Sequence, residues 1–285
     1  MPPQLAGGDD IGGKLGRSAG TLRVEYRAHI LDDCKATPVN LTQHWGFNLS
    51  ASSKQKQDKS NKIDDHTIRL IAYPGEDSPG IRRLETDGRG LPTGKLADIA
   101  AGDAHDLAEA GEHGLGRRVG ARMPDGGFDH FYVWGFPTFT PPPPGAHPSM
   151  MTNTQGPDLT RCILHAPDTH LSLVFRTNQA GVQFYSANGQ PPSPAPASQS
   201  GGRRKTLHSA AAAAATSSAE ETGSTGAGAD EEGNAERSAA FLEFGMPHAT
   251  FLHKELIDAL QGHDTVLGPM ENYSNWVEVE LWKGS

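Results

Sequence analysis

Apolar and polar positions alternate with a period of two in several stretches of the chain. In LRVEYRAHI, Leu22, Val24, Tyr26, Ala28 and Ile30 take one face, and Arg23, Glu25, Arg27 and His29 take the other. In HTIRLIAY, His66, Ile68, Leu70 and Ala72 share a side, and LSLVFRT from 171 and WVEVELW from 276 alternate as cleanly. Successive side chains of a strand point to opposite faces, so this pattern predicts half-buried strands. Its spread from residue 20 to residue 282 predicts an all-β fold, a large antiparallel β-sandwich. The run NLTQHWGFNLS, 40–50, reads as a further buried β element, with Leu41, Trp45, Phe47 and Leu49 apolar and His44 in the middle. Helical periodicity is confined to a turn or two in LADIAAGDAHDLAEAGEHG, from 96, and to HKELIDALQG, from 253. The latter sets Leu256, Ile257 and Leu260 on one side and places Gly262 as a stop.

Two tracts break the pattern. Residues 136–157 are proline-rich and predict a partly extended loop. Residues 190–238 carry six consecutive alanines at 210–215 and almost no large apolar side chains, so burial cannot offset the entropy of ordering them. They predict a disordered low-complexity insertion between two strands of one domain. The expected organisation is a disordered leader over 1–19 and a single β-sandwich domain over 20–285. The 34 glycines and 21 prolines fit a turn-rich fold and not a helical bundle.

Charge narrows the partners. The formal net charge is −9, and the one compact basic run, Arg203-Arg204-Lys205, lies in the low-complexity tract. Phosphate contacts dominate nucleic-acid affinity, so no nucleic-acid partner is expected. No run reaches the roughly 18 to 20 apolar residues of a membrane span, and the first residues show no apolar signal-peptide core. No membrane partner is expected, and the expected location is cytoplasmic. The two cysteines, Cys34 and Cys162, lack CxxC spacing and read as reduced thiols.

Thirteen histidines invite a metal, but HExxH, CxxC and acidic EF-hand spacings are all absent. Asp129-His130 are neighbours on a predicted strand and so point to opposite faces. Walker spacing and a GxSxG elbow are also missing. What remains is a set of polar residues in aromatic, β-type surroundings: His44, Asp129 with His130 in GGFDHFYVW, Gln183 in GVQFYSANG, and Glu243 in AAFLEFGMPHATFLH. Each has a plain alternative as a solvent-facing strand residue or a satisfied amide. Flat apolar faces beside a few directed hydrogen-bonding groups suit a pocket of sugar size.

These residues also carry a resemblance. TPVNLTQHWGFNL resembles the aldose 1-epimerase (galactose mutarotase) signature, usually close to TPVNLTNHxYFNL. LPTGKLADIA, GGFDHFYVW, GVQFYSANG, AFLEFGMPHATFLH and LGPMENYSNWVEVELW follow in the family's order and resemble its later segments. The resemblance implies a galactose mutarotase-like supersandwich that opens and recloses the ring of an aldohexose such as galactose or glucose, without a cofactor or a metal. It implies Glu243 as general base, His44 as general acid, and Asp129 and Gln183 as hydrogen-bonding partners of sugar hydroxyls. It also implies a longer sandwich ahead of the signature, carrying an Arg and a His that hold the substrate. Residues 1–39 match neither motif, so an N-terminally truncated domain is expected. Gln43 stands where the family usually has Asn, and Trp45-Gly46 and Phe244-Gly245 also depart from its pattern. The competing expectation is an inactive carbohydrate-binding or vestigial domain. A phosphohexose epimerase would need a cationic phosphate site, and the segments predicted to be ordered show no obvious one.

Overall fold

The alternating segments fold as their pattern predicts. The computed structural model describes residues 15–31, 33–51, 62–73, 80–134, 160–188 and 236–284. In chain order the strands are β1 (Arg17–His29), β2 (Thr37–Pro38), β3 (Gly46–Phe47), β4 (Thr67–Leu70), β5 (Arg82–Thr86), β6 (Pro92–Asp98) and β7 (Arg117–Arg118). They continue with β8 (Asp129–Val133), β9 (Thr160–Ala166), β10 (Leu171–Thr177), β11 (Gly181–Tyr185), β12 (Ala240–Gly245), β13 (Val266–Leu267) and β14 (Asn272–Lys283). Among the described residues these make two six-stranded antiparallel sheets, ordered β1-β14-β10-β9-β4-β7 and β3-β12-β11-β8-β5-β6, and a two-stranded β13-β2 ribbon. This is the expected antiparallel β-sandwich. Of the expected leader, residues 1–14 lie outside the described residues and β1 already begins at Arg17. The proline-rich tract 136–157 and most of the 190–238 insertion, through residue 235, also lie outside them.

Register sorts each sheet's faces. In the first sheet Val24 pairs with Val277 and Leu22 with Val279, while Arg23 pairs with Glu278 on the opposite face. Arg23 lies 4.0 Å over the Trp276 ring, and Arg176 reaches Glu278 at 3.4 Å and Glu280 at 2.9 Å, so charge ties β1, β14 and β10 together on the outside. In the second sheet Val182, Phe184, Leu242, Phe244 and Tyr132 are all buried. Phe175 of β10 bridges the two sheets, its ring centroid 5.3 Å from Phe244 and 5.5 Å from Phe47.

Two expectations change. The stretch from 96 is not helical: its first residues belong to β6 and its only regular turn is a 3-10 turn at Glu112–Gly114. Gly111 and Gly116 take positive φ there, and a Cβ on either would meet a backbone oxygen at 1.9 or 2.1 Å, so the chain doubles back where a helix would run on. HKELIDALQG does form a helix, α1 (Lys254–Ala259), ending near Gly262 at φ 86°.

Residues 40–50 are also not a continuous strand, since only Gly46 and Phe47 pair with β12. Side-chain amides do the work of the missing ladder. Asn40 Nδ2 donates to the Met246 carbonyl at 2.9 Å and its Oδ1 accepts from the Met246 amide at 3.0 Å. Buried Gln43 donates to the Leu242 carbonyl at 3.2 Å and accepts from Tyr26 Oη at 2.7 Å. The loop is thereby held along β12 with its residues free to leave strand geometry. Removing the Asn40 amide leaves both Met246 groups without that partner. Asn40→Ala is therefore expected to cost about 1–3 kcal/mol, read by urea unfolding.

Candidate active site

Three strands and one loop supply the site. In β11, Gln183 stands opposite Glu243 of β12 on one side and Phe131 of β8 on the other. Tyr185 stands opposite Phe241 and Asp129 in the next row. Side chains opposite one another share a face, so Glu243, Gln183, Asp129, Phe131, Tyr185 and Phe241 all project from the side of this sheet turned away from the Phe175 core. His44 comes to the same face from the loop beside β12, just ahead of Trp45, whose carbonyl accepts from the Leu242 amide at 3.3 Å.

The structure brings all four sequence candidates together in two pairs. His44 Nε2 lies 2.9 Å from Glu243 Oε1. Gln183 Nε2 donates to Asp129 Oδ1 at 2.7 Å. Glu243 is largely enclosed, with 16% of its side chain exposed, while His44 keeps 69% in solvent. Burial raises the Glu243 carboxyl above its ordinary range and the Asp129 charge adds to this, while His44 pulls the other way. An enclosed carboxylate of raised basicity touching an exposed imidazole is suited to proton transfer. His130 faces away from this group: it pairs with Phe184 and packs its ring 4.5 Å from His105, and burial lowers it to about 4.

Sequence reasoning missed two neighbours, Phe241 and His248. Phe241 packs edge-on to the His44 ring at 5.2 Å and lies 5.8 Å from Tyr185. A Cβ at Gly46 would meet the Phe241 ring at 2.7 Å, so the departure at that position is matched to an aromatic that buttresses His44. Period two alone would have flagged Phe241, since it lies two residues from Glu243 on its strand. His248 was not legible in this way. The chain turns back after β12, with Ala249 at φ 56°, and sets the His248 ring 5.3 Å from Phe131 and its Nε2 3.4 Å from Gln183 Oε1.

Among the described residues no group of three or more His, Cys, Asp or Glu is placed to hold a metal ion. No helix among them is long and apolar enough to cross a membrane.

Comparison with known proteins agrees with the fold. The chain is similar to an aldose epimerase homologue from C. elegans at 13% identity and a TM-score of 0.52, over 93% of this chain and 57% of that one. It is similar to galactose 1-epimerase from Lactobacillus acidophilus at 17% identity and a TM-score of 0.50, covering 54% of that chain. In sequence it is 30% identical to human galactose mutarotase over 172 residues, which is 59% of this chain and 38% of the relative. The mouse galactose mutarotase is 29% identical over 171 residues, with the same coverage. The chain thus spans little more than a third of the curated relatives and little more than half of the solved ones. A sequence model of aldose 1-epimerase matches residues 15–245, most of the chain, and the protein belongs to the aldose 1-epimerase family.

Proposed function

We propose that the chain interconverts the α and β anomers of an aldohexose such as galactose or glucose, with Glu243 as general base and His44 as general acid. The observation that carries this reading is the His44–Glu243 contact at 2.9 Å, set beside the Asp129–Gln183 pair on one sheet face. The anomeric hydroxyl and the ring oxygen are bonded to the same carbon. The groups that serve them must therefore reach one carbon centre from close by, and these two stand side by side on the sheet face. In the forward step Glu243 takes the proton of the anomeric hydroxyl while His44 delivers one to the ring oxygen, and the C1–ring oxygen bond breaks. The open aldehyde turns about its C1–C2 bond. Reclosure returns each proton, His44 acting as base and Glu243 as acid, so neither residue is changed over a cycle. Asp129 and Gln183 offer a carboxylate and an amide to sugar hydroxyls, and Tyr185 and Phe241 offer flat apolar surface. The reaction needs no cofactor, since the sugar gains and loses nothing.

The test is polarimetry of freshly dissolved α-D-galactose and α-D-glucose with the purified chain. The optical rotation is expected to reach equilibrium at a rate that rises in proportion to protein concentration. A rate equal to that of buffer, from protein shown to be folded, contradicts the proposal.

The electrostatics set a pH dependence. The base must be ionised, so kcat/KM is expected to fall on the acid side through the raised Glu243 pKa. Asp129→Asn removes the like charge that helps raise it. The acid limb is then expected to move to lower pH while kcat/KM drops for lack of a hydroxyl acceptor.

A second reading, a carbohydrate-binding domain without turnover, is favoured by the 69% exposure of His44, because water competes for an acid that a closed pocket would shield. Galactose that raises the melting temperature with no gain in mutarotation rate supports that reading instead.

A further inference from the structure

We infer that His248 is a positioning residue for sugar recognition: its Nε2–H sets which way the Gln183 amide points, so that Gln183 and Asp129 present one donor and one acceptor to a single sugar hydroxyl. The inference rests on the reading above, in which this pair meets the hydroxyls of the substrate.

The three groups fix one another's polarity in turn. An ionised carboxylate only accepts hydrogen bonds, so the end of the Gln183 side chain 2.7 Å from Asp129 Oδ1 must be its Nε2 amino group. The other end, Oε1, then faces the His248 ring, whose Nε2 lies 3.4 Å away. An amide oxygen also only accepts, so His248 Nε2 must carry a proton. At 3.4 Å the contact is long for a hydrogen bond, and hydrogen bonds that are long in an empty active site tighten in its complex. The consequence falls at the moment of binding. A hydroxyl both donates and accepts, so it can give its proton to Asp129 and accept one from Gln183 Nε2. In doing so it competes for the carboxylate that orients the amide, and His248 is then the group that keeps the amide from turning over. A reversed amide would set Oε1 beside Asp129, two acceptors that repel each other and offer the hydroxyl no donor.

The seat of His248 is built for this. Met246 is clamped by Asn40 through both its carbonyl, at 2.9 Å, and its amide, at 3.0 Å. The Pro247 carbonyl accepts from the hydroxyl of buried Thr250 at 2.6 Å. Ala249 takes φ 56°, a conformation that residues other than glycine adopt seldom. The His248 ring stands edge-on to Phe131, at 5.3 Å and 76°, and Phe131 lies directly across from Gln183. Packing thus places the ring, and the Nε2–H acts on Gln183.

Two substitutions separate these roles. His248→Phe keeps an aromatic ring on Phe131 and removes the N–H. Its dissociation constant for galactose, read by calorimetry, is expected to rise about three- to tenfold, the range of one neutral hydrogen bond. In mutarotation the loss is expected in KM ahead of kcat. His248→Gln, which returns an N–H donor, is expected to recover most of the loss. Among the monodeoxy galactoses, the one that the parent binds most weakly identifies the hydroxyl, and His248→Phe is expected to shrink that penalty. Nitrogen NMR of the parent is expected to find the His248 ring protonated at Nε2 at neutral pH. Galactose binding by His248→Phe equal to that of the parent overturns the proposal, and so does a loss that His248→Gln fails to recover. A ring protonated at Nδ1 alone overturns it as well. A parent that binds galactose without mutarotation contradicts the catalytic reading and leaves this one standing, whereas a parent that binds no aldohexose overturns both. Should His248→Phe fail to fold, the NMR measurement on the parent decides alone.

Discussion

Glu243→Gln is expected to lower kcat for mutarotation by about 10²–10⁴-fold while leaving the fold intact. Gln keeps the shape and can still receive His44 at one end, but it cannot take a proton from the anomeric hydroxyl. The stability of this variant separates a catalytic role from a structural one. The folded-state pKa of Glu243 is raised, chiefly by burial. Its contribution to stability is therefore fully present below the unfolded-state value, about 4.3, and is lost as pH rises through the folded-state value. A neutral Gln escapes that loss. The variant is expected to be at least as stable as the parent at neutral pH, with its advantage vanishing as the solution is acidified below the ordinary Glu range. A variant that loses both activity and stability at neutral pH points to a structural role for Glu243.

Phe175→Ala is expected to be the most damaging change outside the site. Phe175 is fully buried and touches both Phe47, three residues past His44, and Phe244, next to Glu243. Truncating a buried aromatic removes its transfer energy and leaves a cavity, costing about 3–5 kcal/mol. Domains of this kind have about 5–15 kcal/mol in total, so the variant is expected to unfold at markedly lower urea concentration. Because the loop of His44 and the strand of Glu243 rest on the same ring, turnover of the folded fraction at low temperature is also expected to fall. A cost under about 1 kcal/mol contradicts the role given to this contact.

The sheet architecture was legible most directly in β14, where burial of one face, with Tyr273, Asn275, Val277 and Val279, imposes the alternation, and β1 and β10 pair with it in register. The candidates Gln183 and Glu243 were legible as polar positions in that rhythm, and the structure sets them directly opposite each other. What failed to show was set by side-chain hydrogen bonds, which have no period. Residues 40–45 look like a strand, yet Asn40 and Gln43 hold them along β12 as a loop. The stretch after β6 looks part-helical in its Ala, Glu and Leu content, yet glycines at positive φ reverse it. His248 reaches Gln183 only through the turn after β12, and no local pattern announces a contact made by folding back.

The most direct test of the central claim is exchange between the anomeric protons of galactose, followed by NMR saturation transfer at equilibrium. It needs no freshly dissolved sugar and reads ring opening alone. Transfer between the α and β resonances is expected with the intact chain, and is expected to drop to the buffer level with Glu243→Gln and with His44→Asn. Transfer at the buffer level with the intact, folded chain, or undiminished transfer with Glu243→Gln, contradicts the account.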